Sequence, residues 1–232
     1  MGAIKQYDLN RNGQYARANE TQKSKRQISY VNIPSFSLAI ETLLDPSLKN
    51  RPIALTSPFM KGARVEDCSL EAKKNGVYKG MLLSQAQLLC SDLRVLHLRE
   101  EIYARVASQL ESDIQKMIPI FERENKGQGF IDYTGMDGVY GSAADFHQEL
   151  RKRIKFRYSL SPDIGISCNK LVSKIAAKSL KNTADSMALV LANEVESYLA
   201  PLPIEFLPIV NEINKRHCTG RWEVLRSEEH TS

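Results

Sequence analysis

No stretch of the 232 residues approaches the ~20 consecutive apolar residues of a membrane span, so no membrane association is expected. The opening "MGAIKQYDLN" lacks the apolar core of a secretory signal. Cysteine is sparse: Cys68, Cys90, Cys168 and Cys218 show no C-x-x-C spacing, so neither a disulfide framework nor a zinc site is indicated. His97, His147 and His217 show no ligand spacing either. Nor does one sign of charge dominate. Lys plus Arg number 32 against 27 Asp plus Glu, and the net +5 only tilts toward an anionic partner. A reduced, soluble, cytoplasmic protein is the expectation.

What is present is an ordinary globular composition, 42% hydrophobic and 25% charged, long enough for one large domain or two small ones. Residues 1–27 are polar and aperiodic and read as a flexible tail. Beyond them strands and helices mix. "ISYVN" reads as a buried strand, Ser35–Leu44 as a helix and "PIALTS" as a strand. Ser69–Asn75, closed by Gly76, and Leu83–Leu89 read as short helices ahead of a strand in "RVLHL". Ile102, Val106, Leu110, Ile114 and Met117 recur every three to four residues and predict an amphipathic helix over Glu100–Met117. "FERENKGQGFIDYTG" reads as strand with glycine punctuation, and Ser142–Lys155 as a helix ending in the basic run "RKRIKFR", for which a solvated face is favoured over a contact with DNA. "SPDIGIS" is a strand, Asn169–Leu180 a helix, "MALVLA" a short strand and Asn193–Leu199 a helix. The mixture points to an α+β fold.

Lys170, Lys174, Lys178 and Lys181 stand four, four and three residues apart and line one helix face. No acid interrupts them along the helix, so phosphate is the natural counterion.

The segment carrying these lysines, "GISCNKLVSKIAAKSLK", resembles the "GIS-x-NK-x-x-AKIA" segment of Y-family (UmuC/DinB-type) translesion DNA polymerases. "YVNIPSFSLAIE" resembles that family's opening strand and helix. "CSLEAKKNGVYKGMLLSQAQLLCSDLRVL" resembles its fingers, "FERENKGQGFIDYTG" its second catalytic strand, and "LAPLPIEFLPIV" the start of its thumb. The resemblance runs in order from about residue 28 to 210. It implies a palm over 28–37 and 95–191, a mixed sheet with helices on one face. It also implies a mostly helical fingers subdomain over 38–94 and a partial helical thumb over 192–225. Residues 226–232, "RSEEHTS", read as an adapter-derived artefact, which would make the chain a C-terminal truncation.

In that family two divalent cations are held by an Asp on the first strand and an Asp-Glu pair on the second. The matching positions here are Asn32, Gly127 and Gln128, none of them an acid. Hard cations need carboxylate oxygens, so no catalytic residue and no metal ligand is assigned. If the second strand alternates regularly, Glu124 and Asp132 lie two same-face steps of about 6.6–6.8 Å from Gln128, too far to substitute. Asp132 also matches an Asp that the family keeps without using it as a ligand. The fingers positions that address a triphosphate correspond to Asp67, Leu70 and Lys73, and the steric-gate position to Ser37. Lys73, Lys170, Lys174 and Lys181 remain as phosphate-compatible groups for nucleotide or DNA. "QAQLLC" superficially resembles a sliding-clamp-binding peptide, but it lies within a helix, lacks the terminal aromatic and reads as packing.

The resemblance is therefore to the ImuB-like branch that lacks the catalytic carboxylates. It implies a DNA-binding or scaffolding accessory of repair and mutagenic translesion synthesis, nucleoid-associated and without a cofactor. Its implied partners are damaged or primer-template DNA and, through a missing C-terminal region, a replicative-type polymerase and a sliding clamp. The competing reading is an active error-prone polymerase, using Mg2+ at relocated ligands.

Overall fold

The computed structural model describes residues 26–57, 62–180, 186–203 and 206. Nearly all of the 1–27 tail, Lys181, most of the thumb segment and residues 226–232 lie outside the described residues. In chain order the first half holds β1 (Ile28–Asn32), α1 (Phe36–Leu44), β2 (Ile53–Thr56), β3 (Val65–Cys68), α2 (Leu70–Lys74), α3 (Leu83–Leu89), β4 (Arg94–His97) and α4 (Glu100–Met117). The second half holds β5 (Phe121–Asn125), β6 (Gln128–Asp132), α5 (Asp137–Tyr140), α6 (Ala143–Tyr158), β7 (Asp163–Ser167), α7 (Lys170–Ser179), β8 (Met187–Leu189) and α8 (Val195–Leu199). None of the helices is long and apolar enough to cross a membrane, among the described residues.

The chain divides into two compact units, one reaching Asn32 and resuming at Asp113, the other spanning Ile33–Ser112. The first is built on a five-stranded sheet ordered β5-β6-β1-β7-β8, with β1 antiparallel to both neighbours and β8 parallel to β7. β1 is central and buried on both sides: Ile28 and Tyr30 face one way, Ser29 and Val31 the other. α7 lies over the first face, where Ile28, Tyr30, Phe130 and Ala177 form one cluster. Its close approach depends on Gly165, the register partner of Tyr30, because a Cβ there would stand 2.0 Å from the Ser173 carbonyl oxygen.

The α+β class and mixed sheet are those expected from the sequence, with helix cover on the second face as well. Tyr133 extends the β1–β6 ladder by one residue through its N–H to the Gln27 carbonyl. It therefore projects to the Ile131 side, where its ring meets Phe146 and His147 of α6 at 5.2 and 5.7 Å. Leu150 and Ile154 continue the buried stripe of α6.

In the second unit β2 pairs parallel with β4 and antiparallel with β3. Ala54, Val65, Cys68, Ala72, Val77 and Met81 supply much of one small core. Leu38, Leu48, Ile53 and Leu55 form another. α2 starts at the Ser69 cap, whose hydroxyl accepts the Ala72 N–H at 3.2 Å, and ends ahead of Gly76 at φ 84°. The Glu41 carboxylate, 3% exposed, accepts from the Arg99 guanidinium and the Tyr103 hydroxyl.

Three local readings change. "FERENKGQGFID" is a hairpin rather than one strand: β5 turns into β6 through Lys126–Gly127, with Gly127 at φ 69°. The spacing of Glu124 from Gln128 along a single strand therefore does not apply. β3 was not anticipated, because Glu66 and Asp67 at its centre hide a four-residue strand whose ends, Val65 and Cys68, are buried. In "QAQLLC" Ala86 and Cys90 pack, but Leu88 is 86% exposed, so the packing reading holds for only part of that helix.

Candidate functional site

Asn32 ends β1, and register sets Gln128 of β6 on one side of it and Asp163 of β7 on the other. Directly paired residues share a face, so the three side chains form a row across three strands, on the α7 side of the sheet. Gln128 Nε2 donates to Asn32 Oδ1 at 2.8 Å. Two carboxylates so placed would repel each other unless a cation stood between them, whereas two amides satisfy each other. Gly127 contributes no side chain, only the positive φ of the hairpin turn.

The residues present do not fit a divalent cation pair. Asn32 Oδ1 already accepts a hydrogen bond, Gln128 is neutral, and no group of three His, Cys, Asp or Glu residues suited to a metal exists among the described residues. Asp163 is the one carboxyl in the row. Burial raises its pKa to about 6 against the opposing charge of Arg151. Sequence reading missed Asp163, because only the strand register brings "SPDIGIS" beside Asn32. The acids weighed as substitutes are engaged elsewhere: Asp132 Oδ1 accepts the Thr134 N–H at 3.0 Å, and Glu124 of β5 accepts from Lys174 of α7.

The side-chain oxygen of Asn169 caps α7 by accepting the Val172 N–H at 2.9 Å. Its lysines meet acids from β5, an element distant in sequence. Lys170 Nζ pairs with Glu122 at 2.5 Å, and Lys174 Nζ with Glu124 at 2.5 Å. Tyr30 donates its hydroxyl to the other Glu124 oxygen at 2.6 Å. The two ammonium groups also sit over aromatic rings, Lys170 over Phe130 at 5.1 Å and Lys174 over Tyr30 at 5.4 Å. Burial works to raise the Glu124 pKa, but hydrogen bonds from Lys174 and Tyr30 outweigh it and hold the carboxyl below its ordinary value. Burial, then the hydrogen bond to Glu124, pushes the Tyr30 phenol upward. Burial together with the neighbouring Lys174 lowers the Lys178 pKa.

The lysine stripe is thus a set of cations partly neutralised by one edge strand. Lys170 keeps 45% side-chain exposure and Lys174 only 18%. Ser37, in the first turn of α1, and Lys73, exposed on α2, belong to the Ile33–Ser112 unit. There Asp67 Oδ1 accepts the Cys68 N–H at 2.8 Å, and Leu70 is 57% exposed.

Among curated proteins, the chain is 27% identical over 192 residues to a DNA polymerase IV of Dehalococcoides mccartyi, covering 83% of this chain and 49% of that protein. It is 29% identical over 182 residues to a DNA polymerase IV of Ralstonia nicotianae, covering 78% of this chain and 50% of that protein. The chain thus spans about half the length of these relatives. Among solved structures it resembles DinB from Sulfolobus solfataricus, with a TM-score of 0.77 at 18% identity over 87% of this chain and 60% of that one. An insertion ternary complex of Dbh DNA polymerase gives 0.74 at 19% identity, with the same two coverages. At such identities the structures show a shared fold alone. The family model of the impB/mucB/samB proteins matches residues 31–178, from the end of β1 nearly to the end of α7. That span holds the amide row and the two paired lysines, and it places this chain in the impB/mucB/samB family of Y-family, DNA polymerase-like proteins.

Proposed function

We propose that this protein is a catalytically inactive, ImuB-like member of the family. It serves as a DNA-binding or scaffolding accessory in repair and mutagenic translesion synthesis, in the cytoplasm at the nucleoid. The observation that carries the reading is the Asn32–Gln128 hydrogen bond, a neutral contact at two of the positions where the family resemblance calls for metal-binding acids. Lys170 and Lys174, with Lys73 and Lys181, are the proposed phosphate contacts, and Ser37 is too small to act as a steric gate. Damaged or primer-template DNA is the proposed ligand. A replicative-type polymerase and a sliding clamp are proposed as partners of a region C-terminal to the matched span, which covers about half of the curated relatives.

A second reading, an active error-prone polymerase, is favoured by the naming of the relatives as DNA polymerase IV. Primer extension with Mg2+ or Mn2+, run beside a DNA-binding measurement, separates the two. The accessory reading expects binding without nucleotide incorporation. Template-directed incorporation that disappears on changing Glu124, Asp132 or Asp163 to Ala would establish relocated ligands instead.

A further inference from the structure

α6 buries Phe146, Leu150 and Ile154 against its own unit, yet its last turn presents Phe156 at 93% exposure. Leaving a phenyl ring in water forgoes the favourable burial of its apolar surface, and the helix is already anchored without it. The ring sits in a cationic field. Lys152 and Arg153, four and three residues earlier, share its helix face, and Lys155 and Arg157 flank it. Arg153 is paired with Glu149 at 2.9 Å, and Arg157 with Asp113 at 3.0 Å. Arg151 turns away to donate to the Pro162 carbonyl. Lys152 and Lys155 are exposed and have no carboxylate partner among the described residues.

We infer that this end of α6 is a contact site for single-stranded nucleic acid, in which a base stacks on Phe156 while Lys152 and Lys155 hold the adjoining phosphates. An exposed aromatic beside uncompensated ammonium groups is the chemistry of a stacking platform that tolerates any base, because every base has a π-face and every nucleotide a negative charge. An acidic protein would satisfy the lysines. It would also need an apolar pocket rimmed by acid to receive a ring standing out from a convex helix. The site lies on the sheet face opposite α7. It rests on the reading that the protein works on DNA, but not on the α7 lysines.

The test is fluorescence anisotropy of the whole chain with a labelled oligo-dT, an abasic oligonucleotide of the same length, a labelled duplex and a labelled acidic peptide. Phe156→Ala should weaken oligo-dT binding about ten-fold and abasic binding less than two-fold. Lys152→Ala/Lys155→Ala should weaken both and reduce the salt slope by about 1.4, the value for two phosphate contacts on a single strand. Lys170→Ala/Lys174→Ala should leave the Phe156 effect in place. Duplex binding with no response of oligo-dT to either α6 variant would overturn the site while sparing the DNA-binding reading. No binding to any oligonucleotide would overturn both. Acidic-peptide binding that is lost in Phe156→Ala, with oligo-dT unaffected, would replace the inference with a protein partner. Both α6 variants change exposed side chains, and unchanged thermal melts would confirm that they fold.

Discussion

At the scale of single residues, the Asn32–Gln128 contact sets what the end of β1 offers a ligand. Its two neutral amides satisfy each other and offer a divalent cation no carboxylate, so addition of Mg2+ or Mn2+ should leave the melting temperature of the protein unchanged. Asn32→Asp/Gln128→Glu places two negative charges in register and should cost roughly 1–2 kcal/mol in EDTA. Thermal melts with and without Mn2+ would show whether the restored acids bind metal, as a rise seen only in the double variant. Asp163, their neighbour, works in the opposite sense from a salt-bridged acid. Its folded pKa of about 6 lies above the ordinary carboxyl value, so the native state holds the proton more tightly than the unfolded chain. Its contribution is therefore most favourable at low pH and declines as pH rises toward 6. Asp163→Asn should raise stability at pH 7–8 by ~1 kcal/mol, a figure discounted for the partial exposure of the group, or about 2–4 °C. That gain should vanish near pH 4, and melts across that range would check it.

At the scale of elements, the β5–β6 hairpin and α7 show how far the sequence could be read. The ends of α7 were legible because Asn169 is a strong cap and the apolar residues recur at helical spacing. The lysine face was legible too, but its neutralisation was not. Glu122 and Glu124 are about 50 residues away in sequence, and only the Lys126–Gly127 turn folds their strand back toward the helix. A glycine inside an apparently continuous strand was the available signal. Asp163 stayed hidden for the same reason, since cross-strand register is not a property of either segment alone. The physical consequence falls on binding: DNA that reaches Lys174 must displace Glu124. Glu124→Gln should therefore tighten duplex binding several-fold and steepen its salt dependence by up to about 0.9, one additional phosphate contact. A salt titration of binding would read this directly. An unchanged slope would mean that Lys174 is occupied by structure alone.

At the scale of the whole molecule, two compact units rest on different kinds of interaction, and the difference is measurable. The unit around the five-stranded sheet depends on close backbone approach at Gly165, where a Cβ would also come within 2.4 Å of the Ala177 nitrogen. Those are backbone atoms of α7 and cannot swing aside, so Gly165→Ala must push the helix off the sheet at a cost of roughly 1–3 kcal/mol or more. The Ile33–Ser112 unit depends instead on a buried charge, with Glu41 of α1 held by Arg99 and by Tyr103 of α4. Burial, with the hydrogen bond to Glu41, raises the Tyr103 phenol to about 12, so it remains a donor throughout the neutral range. Truncating Glu41 to Ala strands the partly exposed Arg99 without its partner and leaves the Tyr103 hydroxyl buried and unsatisfied. The expected loss is about 2–4 kcal/mol, below the upper range for a fully buried pair because Arg99 can reach water. Native-state hydrogen exchange would assign each loss to its unit. Glu41→Ala should expose amides of α1, β2 and β4 first, and Gly165→Ala those of β1, β7 and α7. Loss of protection spread evenly over both units by either substitution would show that they open as one cooperative body.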